Sequence, residues 1–150
     1  MTGVGTTIQS TNGNISVIGT GGAGTTFSNL GVFVADGANI IATGTAAITL
    51  LGNAAGLTNN NIGVYVSDFS APGTLIQSNG GNISITGTGA GSGSTDYGIR
   101  ILDGAQILTT GSAAITLDGT GAAGNAGIIS DKINRPAAIT VIGGASSTGD

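Results

Sequence analysis

Apolar and polar residues alternate over short stretches of this chain, and the same stretches recur along it. Ile15 and Val17, Ile48 and Leu50, Ile83 and Ile85, Ile115 and Leu117, and Ile139 and Val141 flank Ser16, Thr49, Ser84, Thr116 and Thr140. A period of two in β-branched residues predicts strands with one face in a core and the other in solvent. A second set of strands is predicted at GVFVAD from Gly31, GVYVSD from Gly63, GIRILD from Gly98 and GIISD from Gly127. There Val32 and Val34, Val64 and Val66, and Ile99 and Ile101 face inward, while the facing of the shorter GIISD is ambiguous. A third set carries the apolar pairs Ile40-Ile41, Leu75-Ile76 and Ile107-Leu108, so its facing is also ambiguous. No stretch has the 3.6-residue period of an amphipathic helix.

These strands belong to an internal repeat. IQSTNGNISVIG from Ile8 returns as IQSNGGNISITG from Ile76, 68 residues later. AAITLLG from Ala46 returns as AAITLDG from Ala113, 67 residues later, and again as AAITVIG from Ala137. The shared isoleucines, Ile15, Ile48, Ile83, Ile115 and Ile139, are spaced by 33, 35, 32 and 24 residues. Two alternating versions of a unit of about 33 residues therefore build a super-repeat of about 67. In each unit the first strand leads with Ile8, Ile41, Ile76 or Leu108, and the second begins seven residues later without gaps. Three short strands per unit, repeated at a fixed period, predict an all-β parallel β-helix (β-solenoid) with one coil per unit. The expected coils lie near 8–40, 41–75, 76–107 and 108–138, with a partial one at 139–150 and no evident cap. A β-sandwich is the main rival, but its strands do not recur as near copies at one spacing.

NISVIGTGGAG, ANIIATGTAAITLLG and NISITGTGAGSG resemble the repeats of large bacterial surface proteins of the filamentous-haemagglutinin and autotransporter-passenger type. The resemblance runs from about Thr7 to Gly144. It implies a right-handed parallel β-helix, export to the cell surface or beyond, and a role in adhesion or matrix building.

Composition narrows the chemistry. Of 150 residues 30 are Gly, only 7% are charged, and the chain has no His, Cys or Trp. Thiol catalysis, Ser-His-Asp triads and His/Cys zinc sites have no residues to use. Three cations form no basic patch for nucleic acid. No apolar run approaches the ~20 residues of a membrane-spanning helix. Met1-Thr2-Gly3-Val4-Gly5 lacks the basic and apolar regions of a signal peptide, so if the native protein is secreted the chain is expected to be a mature piece or an excised fragment of it.

Candidate sites are few. Asp36, Asp68, Asp103 and Asp131 each close a strand of the second set, and stacked coils would set them in a column. Like charges so placed repel unless hydrogen-bonded or bridged by a cation such as calcium, whereas Asp also suits turns through bonds to backbone N–H. Turn capping is the favoured expectation, with calcium the only cofactor considered. Phe33, Tyr65 and Arg100 fall at equivalent outward positions and form a candidate binding face for sugar rings or a neighbouring fibre. The two G-x-G-x-x-G matches, from Gly19 and Gly119, precede a loop and a strand rather than a helix, so they read as corners. The Asn-Ile-Ser triplets at Asn14 and Asn82 match the glycosylation pattern but also the repeat consensus. The mixed-charge groups Asp96/Arg100/Asp103 and Asp131/Lys132/Arg135 are too sparse to predict catalysis.

The expectation is a structural unit of an extracellular bacterial fibre, matrix or adhesin. Its partners are copies of itself or adjacent repeats stacked head to tail through open strand edges. A carbohydrate- or surface-binding module is the alternative. Ice binding through the outward Ser/Thr column and a polysaccharide-active enzyme rank lower.

Overall fold

A computed structural model describes residues 1–25, 28–110, 112–130 and 139–144. Thirteen strands appear among them: β1 (Thr7–Ser10), β2 (Ile15–Thr20), β3 (Leu30–Ala35), β4 (Asn39–Ala42), β5 (Ile48–Ala55), β6 (Ile62–Ser67), β7 (Leu75–Ser78), β8 (Ile83–Ala90), β9 (Ile99–Leu102), β10 (Gln106–Thr109), β11 (Ile115–Thr120), β12 (Ile128–Ser130) and β13 (Ile139–Gly144). They form three parallel sheets, ordered β1-β4-β7-β10, β2-β5-β8-β11-β13 and β3-β6-β9-β12. Each strand pairs with its counterpart one coil away, which makes the protein a β-solenoid of about four coils.

The period-two pattern buries the residues it selects. Ile48, Leu50, Ile83, Ile85, Ile115 and Leu117 of the second sheet are fully buried, and so are Val64, Val66, Ile99 and Ile101 of the third. Registers of Ile48 to Ile83 to Ile115, and of Leu50 to Ile85 to Leu117, stack like on like along the axis. Each such side chain contributes about 1.5–3 kcal/mol on leaving water.

The first sheet resolves the ambiguous pairs. Ile40, Ile76 and Ile107 are buried, while Ile41, Leu75 and Leu108 lie at the half-exposed outer face. Register pairs Ile8 with Ile40, and Ile76 with Ile107. The expected leaders Ile41 and Leu108 are therefore corrected by one residue. The spacing to the second strand is seven residues in the coils of Ile8 and Ile76, but eight in those of Ile40 and Ile107. A one-residue slip would turn buried isoleucines outward, so the core fixes the register and the turn takes up the extra residue. In the shorter turns Ser10 Oγ and Ser78 Oγ accept the N–H groups of Gly13 and Gly81 at 3.1 and 3.0 Å. In the longer turn of the fourth coil Thr109 Oγ1 donates to the carbonyl of Ala113 at 3.0 Å.

GIISD is also resolved. Ile128 pairs with Ile99 and is buried, so this strand starts in phase with the others and is simply shorter.

Where the second and third sheets converge, the inward residues taper. The second strands read Ile48, Leu50, Gly52, Ala54 and Ile83, Ile85, Gly87, Gly89 toward the narrow end. Beyond it lies a polar ladder. Asn29 Nδ2 donates to Asn61 Oδ1 at 2.8 Å, and Asn61 Nδ2 donates to Asp96 Oδ1 at 2.8 Å. Asp96 also accepts from the backbone N–H of Asn61 and of Gly93, both at 2.9 Å, and is fully buried. Asn125 Nδ2 continues the ladder by donating to the carbonyl of Gly93 at 2.8 Å.

Candidate functional site

The third sheet builds the outer column. Phe33 on β3, Tyr65 on β6 and Arg100 on β9 are consecutive partners in register, as the outward pattern requires. Strand spacing brings the ring centroids of Phe33 and Tyr65 to 5.3 Å with the planes 34° apart. The Arg100 guanidinium lies over the Tyr65 ring at 5.1 Å and over that of Tyr97 at 5.8 Å. Burial removes Arg100 Nε from solvent, and no hydrogen-bond partner meets it among the described residues. Ile129 follows Arg100 in register.

The three predicted residues are thus brought together, and Tyr97 joins them. Tyr97 was missed because it precedes the strand at Gly98, although it stands only three residues before Arg100. Tyr65 is flanked by Phe33 on one side and Arg100 on the other, so its ring faces are engaged within the stack. A sugar ring stacks on an exposed aromatic face, and the faces of Tyr65 already meet Phe33 and Arg100. The arrangement braces three successive coils through aromatic and cation–π contacts. Tyr65→Ala is expected to lower stability by about 1–2 kcal/mol, read as a lower urea midpoint, while Tyr65→Phe keeps the stack and stays near wild type. Equal midpoints for Tyr65→Ala and wild type would remove the bracing role.

Asp36, Asp68 and Asp103 directly follow the register partners Ala35, Ser67 and Leu102, but they serve separate bonds. Asp36 and Asp103 hold positive φ values of 57° and 62°, each followed by a glycine at 83° or 89°. Asp tolerates this left-handed turn, and Gly adopts it without strain. Asp36 Oδ1 accepts the Ser70 N–H at 2.7 Å from the next coil. Asp68 Oδ1 and Oδ2 accept the N–H groups of Thr74 and Gly73 at 2.7 and 3.1 Å, closing the Phe69-Ser70-Ala71-Pro72 insertion. Asp103 Oδ2 accepts the Ser67 hydroxyl at 2.7 Å, again across coils. Among the described residues no three carboxylates converge on one point. Asp131, Lys132 and Arg135 lie outside the described residues.

The sheet edges are the other candidate. Residues β2 and β13 end the second sheet, and β12 ends the third. At the opposite end of the third sheet Met1–Gly3 runs beside β3. Ala35 N–H donates to the Met1 carbonyl at 3.0 Å, and Gly3 N–H donates to the Ala35 carbonyl at 3.2 Å. Along β2 the N–H groups of Ile15 and, just beyond it, Gly21 donate to the carbonyls of Ala47 and Asn53. Parallel pairing alternates, so the N–H and C=O of Ser16 and Ile18 point to the unpaired side. Ile18 is 70% exposed and Ile8 is 38% exposed at this end.

No family model, no curated protein and no solved structure matches this chain.

Proposed function

We propose that the chain is a structural segment of an extended β-solenoid in an extracellular bacterial fibre, matrix or surface adhesin. The observation that carries this reading is the in-register stacking of three sheets, the second of which ends at β2 and β13 with edges that no other described strand pairs. Such a stack carries load through ladders of backbone hydrogen bonds over a continuous aliphatic column. Side chains lace the coils further. Asn14 Oδ1 and Asn82 Oδ1 accept the N–H groups of Ala47 and Ala114 in the following coil, both at 2.9 Å. The outer column adds bracing instead of a presented aromatic face, which favours a structural role over sugar binding.

Immunogold electron microscopy of intact source cells tests this. Gold on fibres or matrix outside the envelope is the expected result. Gold confined to the interior of sectioned cells overturns the reading.

A further inference from the structure

We infer that a second copy of this chain docks on the β13 end through its own β2, in one defined register. The inference rests on the fibre reading above and names the partner of the open edges. Ile139-Thr140-Val141-Ile142-Gly143-Gly144 and Ile15-Ser16-Val17-Ile18-Gly19-Thr20 are near copies. Ile139, Val141 and Gly143, the register partners of Ile115, Leu117 and Gly119, are of the same types as Ile15, Val17 and Gly19. A junction with Ile139 on Ile15 of the second copy continues the taper of the core without a change of layer.

Backbone polarity fits the same register. Within the chain, Ile15, Ile48 and Ile83 each donate N–H to the residue before the matching isoleucine of the next coil, namely Ala47, Asn82 and Ala114. By that rule Ile139 N–H faces the unpaired side of β13, and the carbonyl of Asn14 faces the unpaired side of β2. Donors and acceptors on the two edges therefore match.

The coil types at the junction itself agree, although β11 and β13 are of one type. In the chain, Ala46-Ala47-Ile48-Thr49 precedes Asn82-Ile83-Ser84 across the β5–β8 pair. Ile139-Thr140 followed by Ile15-Ser16 of the second copy repeats the Ile48-Thr49 to Ile83-Ser84 step of that junction.

The third sheet agrees as well. Met1–Gly3 of the second copy already occupies the position next to its own β3. In the stack it falls between that β3 and the edge of β12, so the third sheet runs on from one copy to the next. Because the two surfaces differ, the contact does not close on itself, and repeated addition gives a filament.

The test is light scattering and negative-stain microscopy of the purified chain from micromolar to millimolar concentration. Mass that rises with concentration and unbranched filaments of one width are expected. Ile18→Pro removes an N–H that faces the unpaired edge and spares the bonds to β5, and proline is tolerated on edge strands. This variant is expected to stay monomeric to at least tenfold higher concentration, with an unchanged circular dichroism spectrum. Because its β13 edge is intact, it is also expected to cap and shorten wild-type filaments when added in small amounts. Ile18→Thr keeps the N–H and is expected to assemble as wild type does. A wild-type chain that remains monomeric at millimolar concentration overturns the inference, whatever the variants do. Filaments that Ile18→Pro neither joins nor shortens overturn the assigned edge. Either result leaves the immunogold outcome free to support a fibre whose coils are joined covalently, so the two failures are distinguishable.

Discussion

Gly52→Ala is expected to destabilise the solenoid by about 3 kcal/mol or more, seen as loss of the cooperative urea transition or a large fall in its midpoint. An added Cβ at Gly52 would lie 1.9 Å from the carbonyl oxygen of Gly63 and 2.8 Å from Val64 Cγ2. The obstacle is backbone, which no rotamer change removes. Relief requires β5 and β6 to separate, and each is paired on both sides, to β2 and β8 and to β3 and β9. The same contact recurs between Gly19 and Gly31 and between Gly87 and Gly98, where the Cβ would meet the carbonyl oxygen at 2.0 Å in both cases. Opening one coil therefore strains the next. Gly22→Ala is the control, since its nearest neighbour would be Asn29 Oδ1 at 3.8 Å. It is expected to change stability by no more than about 0.5 kcal/mol. Equal midpoints for Gly52→Ala and Gly22→Ala would show that the sheets do not meet there.

The second and third strands were legible in the sequence because a half-buried strand writes its facing as a period of two. The shared isoleucines also set the interval between coils. The first strand was less legible. Ile40-Ile41 and Ile107-Leu108 offer two apolar residues to one inward position, and local pattern does not choose between them. The choice is made by the coil beside it, where Ile76 is buried and admits only one register. The column of Phe33, Tyr65 and Arg100 followed from aligning the third strands at Gly31, Gly63 and Gly98. What ring stacking does with those residues did not follow, since alignment fixes neighbours and not ring orientation. The polar ladder had a signal that residue type obscured. Asn29, Asn61, Asp96 and Asn125 each stand two residues before the glycine of the third strand. Asp96 reads as a surface charge beside Arg100 only when that position is ignored.

Asp96→Ala is expected to destabilise the chain by about 3 kcal/mol, because it strands three donors at once, two buried and one part-buried. Asn61 N–H, Asn61 Nδ2 and Gly93 N–H all end on the Asp96 carboxylate. An unsatisfied buried donor costs about 1–3 kcal/mol, and release of a buried carboxylate offsets part of the sum. Alanine also opens space at the narrow end of the core. Asp96→Asn separates charge and shape from acceptor count. Its Oδ1 can still accept from Asn61, but its amide group then faces the Gly93 N–H, so a loss of about 1–2 kcal/mol is expected. The order wild type, Asp96→Asn, Asp96→Ala in urea midpoints is the result to look for, with faster amide exchange at Asn61 and Gly93 in both variants. If Asp96→Asn matches wild type, the acceptor-only character of the side chain is irrelevant. The ladder argues that it matters. Asn29 and Asn61 each donate to the next coil, to Asn61 and Asp96, while Asn125 donates back to the Gly93 carbonyl, so Asp96 is met from Asn61 alone among the ladder amides. An acceptor-only side chain at the end of the forward-pointing amides leaves no donor there to be satisfied. Asp96 provides that end, and its second oxygen is then available to hold the Gly93 turn in place.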